Sequence, residues 1–192
     1  MPERCAWAGP EPIYIAYHDT EWGVPEHDGR ALWEKLVLDG FQAGLSWITI
    51  LKKRDNFRSA FRGFDPAVIA EWGEDEVRRL LSDPGIIRHR GKIEAVINNA
   101  RRTFEVVQEE GSFAAFIWLY EPAKDDALPQ MRSKSTASET LSKDLRKLGF
   151  KFVGPTTVYA FMPAMGCIND HAEVCWMRKD VETARNTLRT PT

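Results

Sequence analysis

Four residues near the two ends of the chain have the donor types of a metal site. His171 and Cys175 are four apart, a spacing that on a helix puts both on one face. Cys5 and His18 lie thirteen apart near the other end. Together they make a Cys2His2 set suited to tetrahedral zinc. With all four positions filled by protein, such a site is structural, clipping the N-terminal segment to a C-terminal helix. The alternative is that each cysteine is a small buried hydrophobe and each histidine an ordinary polar residue, because the tandem CxxC pattern is missing. The chain has three cysteines, Cys5, Cys167 and Cys175, an odd and sparse count that fits a reducing compartment.

A second constellation lies in the first fifty residues, where Trp7, Tyr14, Tyr17, Trp22, Trp33 and Trp47 accompany Asp39 in the apolar run LVLDGFQAGLSWITIL. An isolated buried carboxylate is costly, so a buried Asp39 needs a cation or a hydrogen-bond donor. Aromatic faces attract cations as well. An acidic segment of this composition suits a flat cationic ligand. The plainer readings are a helix-end cap for Asp39 and a core role for the aromatics.

Glycine-rich basic turns form the third. In SETLSKDLRKLGFKFVGPTTVYAFMPAM, residues 138–165, an amphipathic helix ends near Leu148, a turn is bracketed by Gly149 and Gly154, and Pro155 opens a second helix. This is a helix-hairpin-helix layout. Glycines let the backbone approach a phosphate and the free N–H groups of the second helix start bind it, while Lys147 and Lys151 add charge. A plain helical hairpin is the alternative. GIIRHRGKIEAV has the same ingredients in Arg88, Arg90 and Lys92 around Gly91.

The elements that must position these groups read as helices. Ile93, Val96, Ile97, Ala100, Phe104 and Val107 trace one apolar stripe. Asp65-Pro66 is a cap with a first-turn proline, Gly73 separates two short helices, Thr136 with Glu139 forms a capping box, and Ser46 caps a helix carrying Trp47. Ile13, Ile15 and Tyr17 give the one short strand-like alternation. The expectation is a compact all-α fold, with one helical domain over 1–177 and a loose polar tail over 178–192.

Composition bounds the rest. With 192 residues, 43% hydrophobic and 28% charged, the chain can bury a core and is not disordered. No apolar run approaches a membrane span and no secretory signal is visible, so a cytoplasmic protein is expected. The net charge of −2 argues at first against a nucleic-acid partner. It is uneven, however: residues 1–50 carry −5, whereas 86–102 and 132–151 each carry +4 and coincide with the two glycine turns.

Taken together, RCAW (4–7), IAYHDTEWGVP (15–25), QAGLSWITILKKR (42–54), GIIRHRGKI (85–93), STAS (135–138), GFKFVGPTTVYAFM (149–162) and NDH (169–171) resemble, in order, the DNA-3-methyladenine glycosylase I family of bacterial alkylation repair. The resemblance covers roughly residues 4–175. It implies an all-α helix-hairpin-helix glycosylase with zinc on Cys5, His18, His171 and Cys175. It implies that a damaged base stacks on Trp47, with Tyr14, Tyr17 and Trp7 around it and Leu45 plugging the gap in the duplex. The substrate would be N3-methyladenine in alkylated double-stranded DNA and the product free 3-methyladenine, released by a monofunctional hydrolysis. A monomer is expected.

Two departures stand out. Asp39 occupies a position where the family usually has glutamate, one methylene longer. Pro163 inside the second hairpin helix predicts a kink. Asp170, just before His171, reads as a cap or as a partner of the zinc histidine before it reads as an aid to hydrolysis. Two rival functions are a non-catalytic DNA-binding module, which has no use for an Asp39–Trp47 pocket, and a zinc hydrolase, which needs an open metal position.

Overall fold

The computed structural model describes residues 3–123, 129 and 132–187. Among these, all regular structure is helical: α1 (Pro12–Thr20), α2 (Gly29–Gln42), α3 (Trp47–Leu51), α4 (Arg54–Ala60), α5 (Pro66–Ala70), α6 (Glu74–Leu81), α7 (Arg90–Glu110), α8 (Phe113–Trp118), α9 (Thr136–Lys147), α10 (Pro155–Ala164) and α11 (Met177–Thr187), with 3-10 turns at Ala6–Ala8 and Arg62–Phe64.

The centre of the fold is α2. Asp28 starts it by accepting a hydrogen bond from the Ala31 amide, and every residue from 35 to 41 is buried. It packs against α3, α7, α8 and α10. A helix so thoroughly covered reads as apolar, yet it carries Lys35 and Asp39 inward, and those two set up the site below. Ile13, Ile15 and Tyr17 fall in α1 instead of a strand, because Pro12 at the first turn presets the helical φ and Tyr17 and His18 turn into the interior together.

Several signals act as expected. Asp65 caps α5 by accepting from Ala67, and α6 begins directly after Gly73. Others shift. The capping box of α9 uses Ser135 and Ser138, one residue earlier than Thr136 and Glu139. On α7 the stripe of Ile93, Val96, Ile97 and Ala100 is buried, but it continues through Thr103 and Val106, leaving Phe104 and Val107 exposed. Ser46 precedes α3 without capping its backbone; its hydroxyl pairs with that of Thr49, 2.8 Å away.

The expected loose tail is a correction. Residues 177–187 form α11, with Met177 and Val181 buried. Its few apolar residues hide it in the sequence, and polar contacts fasten it: Arg178 donates to the His171 carbonyl, Asn169 donates to Glu182 (2.9 Å), and Arg185 donates to the Cys167 carbonyl (3.1 Å). Residues 188–192 of that tail lie outside the described residues. His171 and Cys175 are likewise not on a helix; they flank a turn that ends just before α11, with the Cys175 amide on the Ala172 carbonyl at 2.9 Å.

Pro163 lies one residue from the end of α10. A proline there has no following helix to kink and instead stands next to the helix stop.

Candidate functional site

The four donor residues from the chain ends meet in one buried cluster. Ligating atoms of Cys5, His18, His171 and Cys175 all lie within 4.8 Å of one another. Cys175 Sγ is 3.4 Å from His18 Nε2 and 3.4 Å from His171 Nδ1, and Cys5 Sγ is 3.6 Å from His171 Nδ1. Neighbouring ligands of a tetrahedral zinc ion stand about 3.3–3.8 Å apart, from the usual Zn–N and Zn–S lengths. Each imidazole is also held by its outer nitrogen. His18 Nδ1 pairs with Asp19 at 2.8 Å, and His171 Nε2 with the Trp22 carbonyl at 3.1 Å. Asp19 is itself gripped by Arg4, which keeps its carboxyl below the usual range. This is the arrangement that fixes a histidine tautomer toward a metal. Burial pushes the His171 imidazole down to about 4, the neutral form a ligand needs. Gly23 is required alongside: its φ is +91°, and a Cβ there would stand 2.7 Å from His171 Nε2. The residues therefore fit a tetrahedral cation.

Next to the cluster is a cavity of about 220 Å³ whose walls include Trp7, Tyr14, Tyr17, Trp22, Asp39 and Trp47. Trp7 and Trp22 belong to both sites, since Trp7 lies against His18 (centroids 5.4 Å apart) and Trp22 against His171 (4.5 Å). The cavity is small against the ~300–1,000 Å³ of drug-sized pockets and suits one small planar group. Trp47, the first residue of α3, is tilted toward Tyr17 with centroids 5.5 Å apart. Asp39 is 2% exposed and Tyr17 is buried. Burial raises the Tyr17 phenol far above its ordinary range, and the nearby Asp39 charge adds to this.

Lys35, absent from the sequence reading, is the main addition. It stands one turn before Asp39 on α2, with Nζ 2.5 Å from Asp39 Oδ1 and 3.9 Å from the centre of the Trp47 ring. Burial pushes the Asp39 carboxyl up, and the Lys35 charge draws it back. Burial pushes the Lys35 ammonium down, and Asp39 opposes that. Asp39 Oδ2 and Trp47 Nε1 are buried without a partner. The i, i+4 spacing was the available signal, but such pairs ordinarily mark an exposed helix face. Tyr159 and Asp170 also line the cavity; Tyr159 contributes from α10, and Asp170 reaches it from the segment before His171.

The positions expected to meet DNA divide. Leu45 is 42% exposed in the turn between α2 and α3. Arg88 and Lys151 are exposed, and Lys147 is exposed but paired with Asp144 at 2.9 Å. Arg90 is exposed but shared between Glu74 (2.9 Å) and Glu94 (3.1 Å). Lys92 is the correction: it is buried, and its ammonium donates to the carbonyls of Phe41 (2.8 Å) and Ala43 (2.6 Å). The end of α2 leaves carbonyls without helical partners, and Lys92 satisfies them, so it does not face a phosphate.

The turn between α9 and α10 is held from α7. Asn99 accepts from the Lys151 amide (2.8 Å) and donates to its carbonyl (2.9 Å), and Asn98 donates to the Gly149 carbonyl (2.8 Å). Gly149 has φ +84°, which favours glycine. Gly154 is the N-cap of α10. His89 lies edge-on to Phe152 with centroids 6.3 Å apart, so the two basic glycine turns are neighbours.

A family model described as methyladenine glycosylase matches residues 7–179. DNA-3-methyladenine glycosylase 1 of Escherichia coli is 51% identical over 178 residues, 90% of this chain and 95% of that protein. DNA-3-methyladenine glycosylase of Haemophilus influenzae is 46% identical over 181 residues, covering 91% and 97%. A crystal structure of 3-methyladenine DNA glycosylase I superposes with TM-score 0.86 at 50% identity, covering 91% and 98%. A structure addressing 3-methyladenine recognition by the Staphylococcus aureus enzyme superposes with TM-score 0.87 at 37% identity, covering 92% and 97%.

Proposed function

The chain belongs to the methyladenine glycosylase family, and from that premise we propose that its aromatic cavity takes 3-methyladenine flipped out of alkylated duplex DNA. The protein is a glycosylase of base-excision repair, hydrolysing the bond between the damaged base and its sugar. The observation that carries the site assignment is the buried Asp39 with an unpartnered oxygen beside Trp47 in a cavity sized for one ring.

The chemistry asks little acid catalysis of the protein. N3-methylation places positive charge on the base, so the base departs neutral as the bond to C1′ breaks. Water adds to the cationic sugar, its proton goes to solvent, and an abasic site remains. The protein must hold the flipped base, at a cost that is smaller for a damaged base than for a paired one. In this reading Trp47 stacks on the base, Tyr14, Tyr17 and Trp7 border it, and Asp39 accepts a hydrogen bond from it. Leu45 fills the vacated stack. The exposed Arg88, Lys147 and Lys151 with the backbone at Gly149 and Gly154 hold phosphates in a helix-hairpin-helix contact, with Arg90 a weaker contributor because two carboxylates already share its charge.

Cys5, His18, His171 and Cys175 hold zinc in this reading. Four protein ligands leave no open position, so the ion supplies cross-linking rather than chemistry. The whole chain through α11 works as one domain, acting on DNA in the cytoplasm.

Duplex DNA treated with a methylating agent, incubated with the protein and analysed for released bases, tests the function. Free 3-methyladenine is the expected product, accompanied by abasic sites without strand cleavage. DNA binding with no free base would establish the non-catalytic alternative.

A further inference from the structure

Lys35 has no part in that mechanism, and the inference below rests on the same base-pocket reading. The carboxylate of Asp39 is divided in use. Oδ1 takes the Lys35 ammonium at 2.5 Å, while Oδ2 is buried with no partner. An ammonium has three N–H donors, and Asp39 uses one. Both residues line the cavity. A carboxylate alone would offer acceptors only. This pair offers one open acceptor and one cationic donor side by side.

Adenine carries the complementary pattern on one edge, where the N6 amine is a donor and the adjacent N7 an acceptor. We propose that Lys35 is a specificity-determining residue: its ammonium donates to N7 of the flipped base while Asp39 Oδ2 accepts from the N6 amine. A flat base stacking on Trp47 takes over the ring face that now faces the ammonium, 3.9 Å from its centre, and leaves that ammonium at the edge of the base. The pair then rejects two neighbouring lesions. A 3-methylguanine sets its O6 acceptor against the Asp39 oxygen, and a purine methylated at N7 has no acceptor for Lys35 and sets a methyl group against its ammonium. The one-methylene deficit of Asp39 is also accounted for, since the base is bridged by two side chains instead of one longer carboxylate.

The pair has a second consequence. Lys35 cancels the charge of Asp39, so recognition depends on the pattern of donors and acceptors more than on the charge of the base.

The test compares free 3-methyladenine with its 7-deaza analogue, which has the same outline and a C–H in place of N7. Tryptophan fluorescence titration of the wild-type protein is expected to give about tenfold or greater preference for 3-methyladenine, the size of a lost hydrogen bond to a charged group. In Lys35→Met the two bases are expected to bind equally. Wild-type protein that binds both bases equally overturns the inference alone. A Lys35→Met protein that keeps the preference overturns it as well. Failure of the wild type to bind 3-methyladenine overturns the pocket reading and this inference together. The wild-type comparison decides the matter even where the variant does not fold.

Discussion

Tyr17 and His18 are consecutive on α1, and they turn into two buried polar sites that solve opposite problems. In the cysteine–histidine cluster every imidazole nitrogen has a neighbour: the inner ones face sulfur and the outer ones meet Asp19 or the Trp22 carbonyl. In the cavity, Asp39 Oδ2 and Trp47 Nε1 have none. A buried polar group without a partner costs roughly 1–3 kcal/mol. A closed set of donors suits a resident ion that never leaves, whereas open atoms suit a ligand that comes and goes. The sites are not independent, because Trp7 and Trp22 wall both.

The strongest way to break this contrast is through the closed site. Cys175→Ser, or prolonged chelation, is expected to lose a bound ion and lower stability by at least about 3 kcal/mol, roughly 10 °C in Tm for a chain of this size. Base release should fall in parallel because the shared wall loosens. Metal content, melting temperature and base release measure the three, and an unchanged Tm would separate the sites. Trp47→Ala acts on the open site: base release should drop by about a hundredfold or more, at a stability cost of about 3 kcal/mol from the lost buried ring. Near-normal release would remove Trp47 from substrate contact.

Asp39→Asn is a milder probe. It replaces the acceptor pair by one oxygen and one amide, and release should fall about tenfold to a hundredfold. The wild-type pH profile sharpens the point. Asp39 accepts most strongly when ionised, and burial raises its carboxyl above the ordinary value. Activity should therefore be present at neutral pH and fall as pH drops, with a midpoint above the ordinary aspartate value. Lys35→Met should move that midpoint upward, because the ammonium holds the carboxyl down. The smallest effects belong to the surface. Lys151→Ala should weaken DNA binding a few-fold and reduce the salt slope by about one. Arg90→Ala should do less, given its two carboxylate partners.

The sequence was a good guide wherever residues near in the chain determine the outcome. Asp65-Pro66, Gly73 and the Ile93–Ala100 stripe act locally, and the helices follow them. The cysteine–histidine set came from donor type, and the fold brings its members together from the two ends of the chain. What escaped was decided by distant packing. Lys92 looks like a surface cation until α2 ends against it with unsatisfied carbonyls. Asp39 reads as a helix-end cap or a buried carboxylate in need of a cation, and that the cation is Lys35, one turn earlier on the same helix, shows only once both are buried. Helix α11 has two buried apolar residues in eleven, too few for a periodic signal, and its anchors are hydrogen bonds to the 167–171 segment.

The Lys92 clamp has a mechanical consequence for the proposed DNA contacts. Its backbone lies in the first turn of α7, beside Arg88 and Arg90, and its ammonium holds the turn that leads to Leu45. In the proposed contacts Leu45 and Arg88 are thus tied to each other through a single side chain. In that reading a tie between the two contacts leaves more of the deformation to the nucleic acid, and a damaged base is where the duplex yields at least cost.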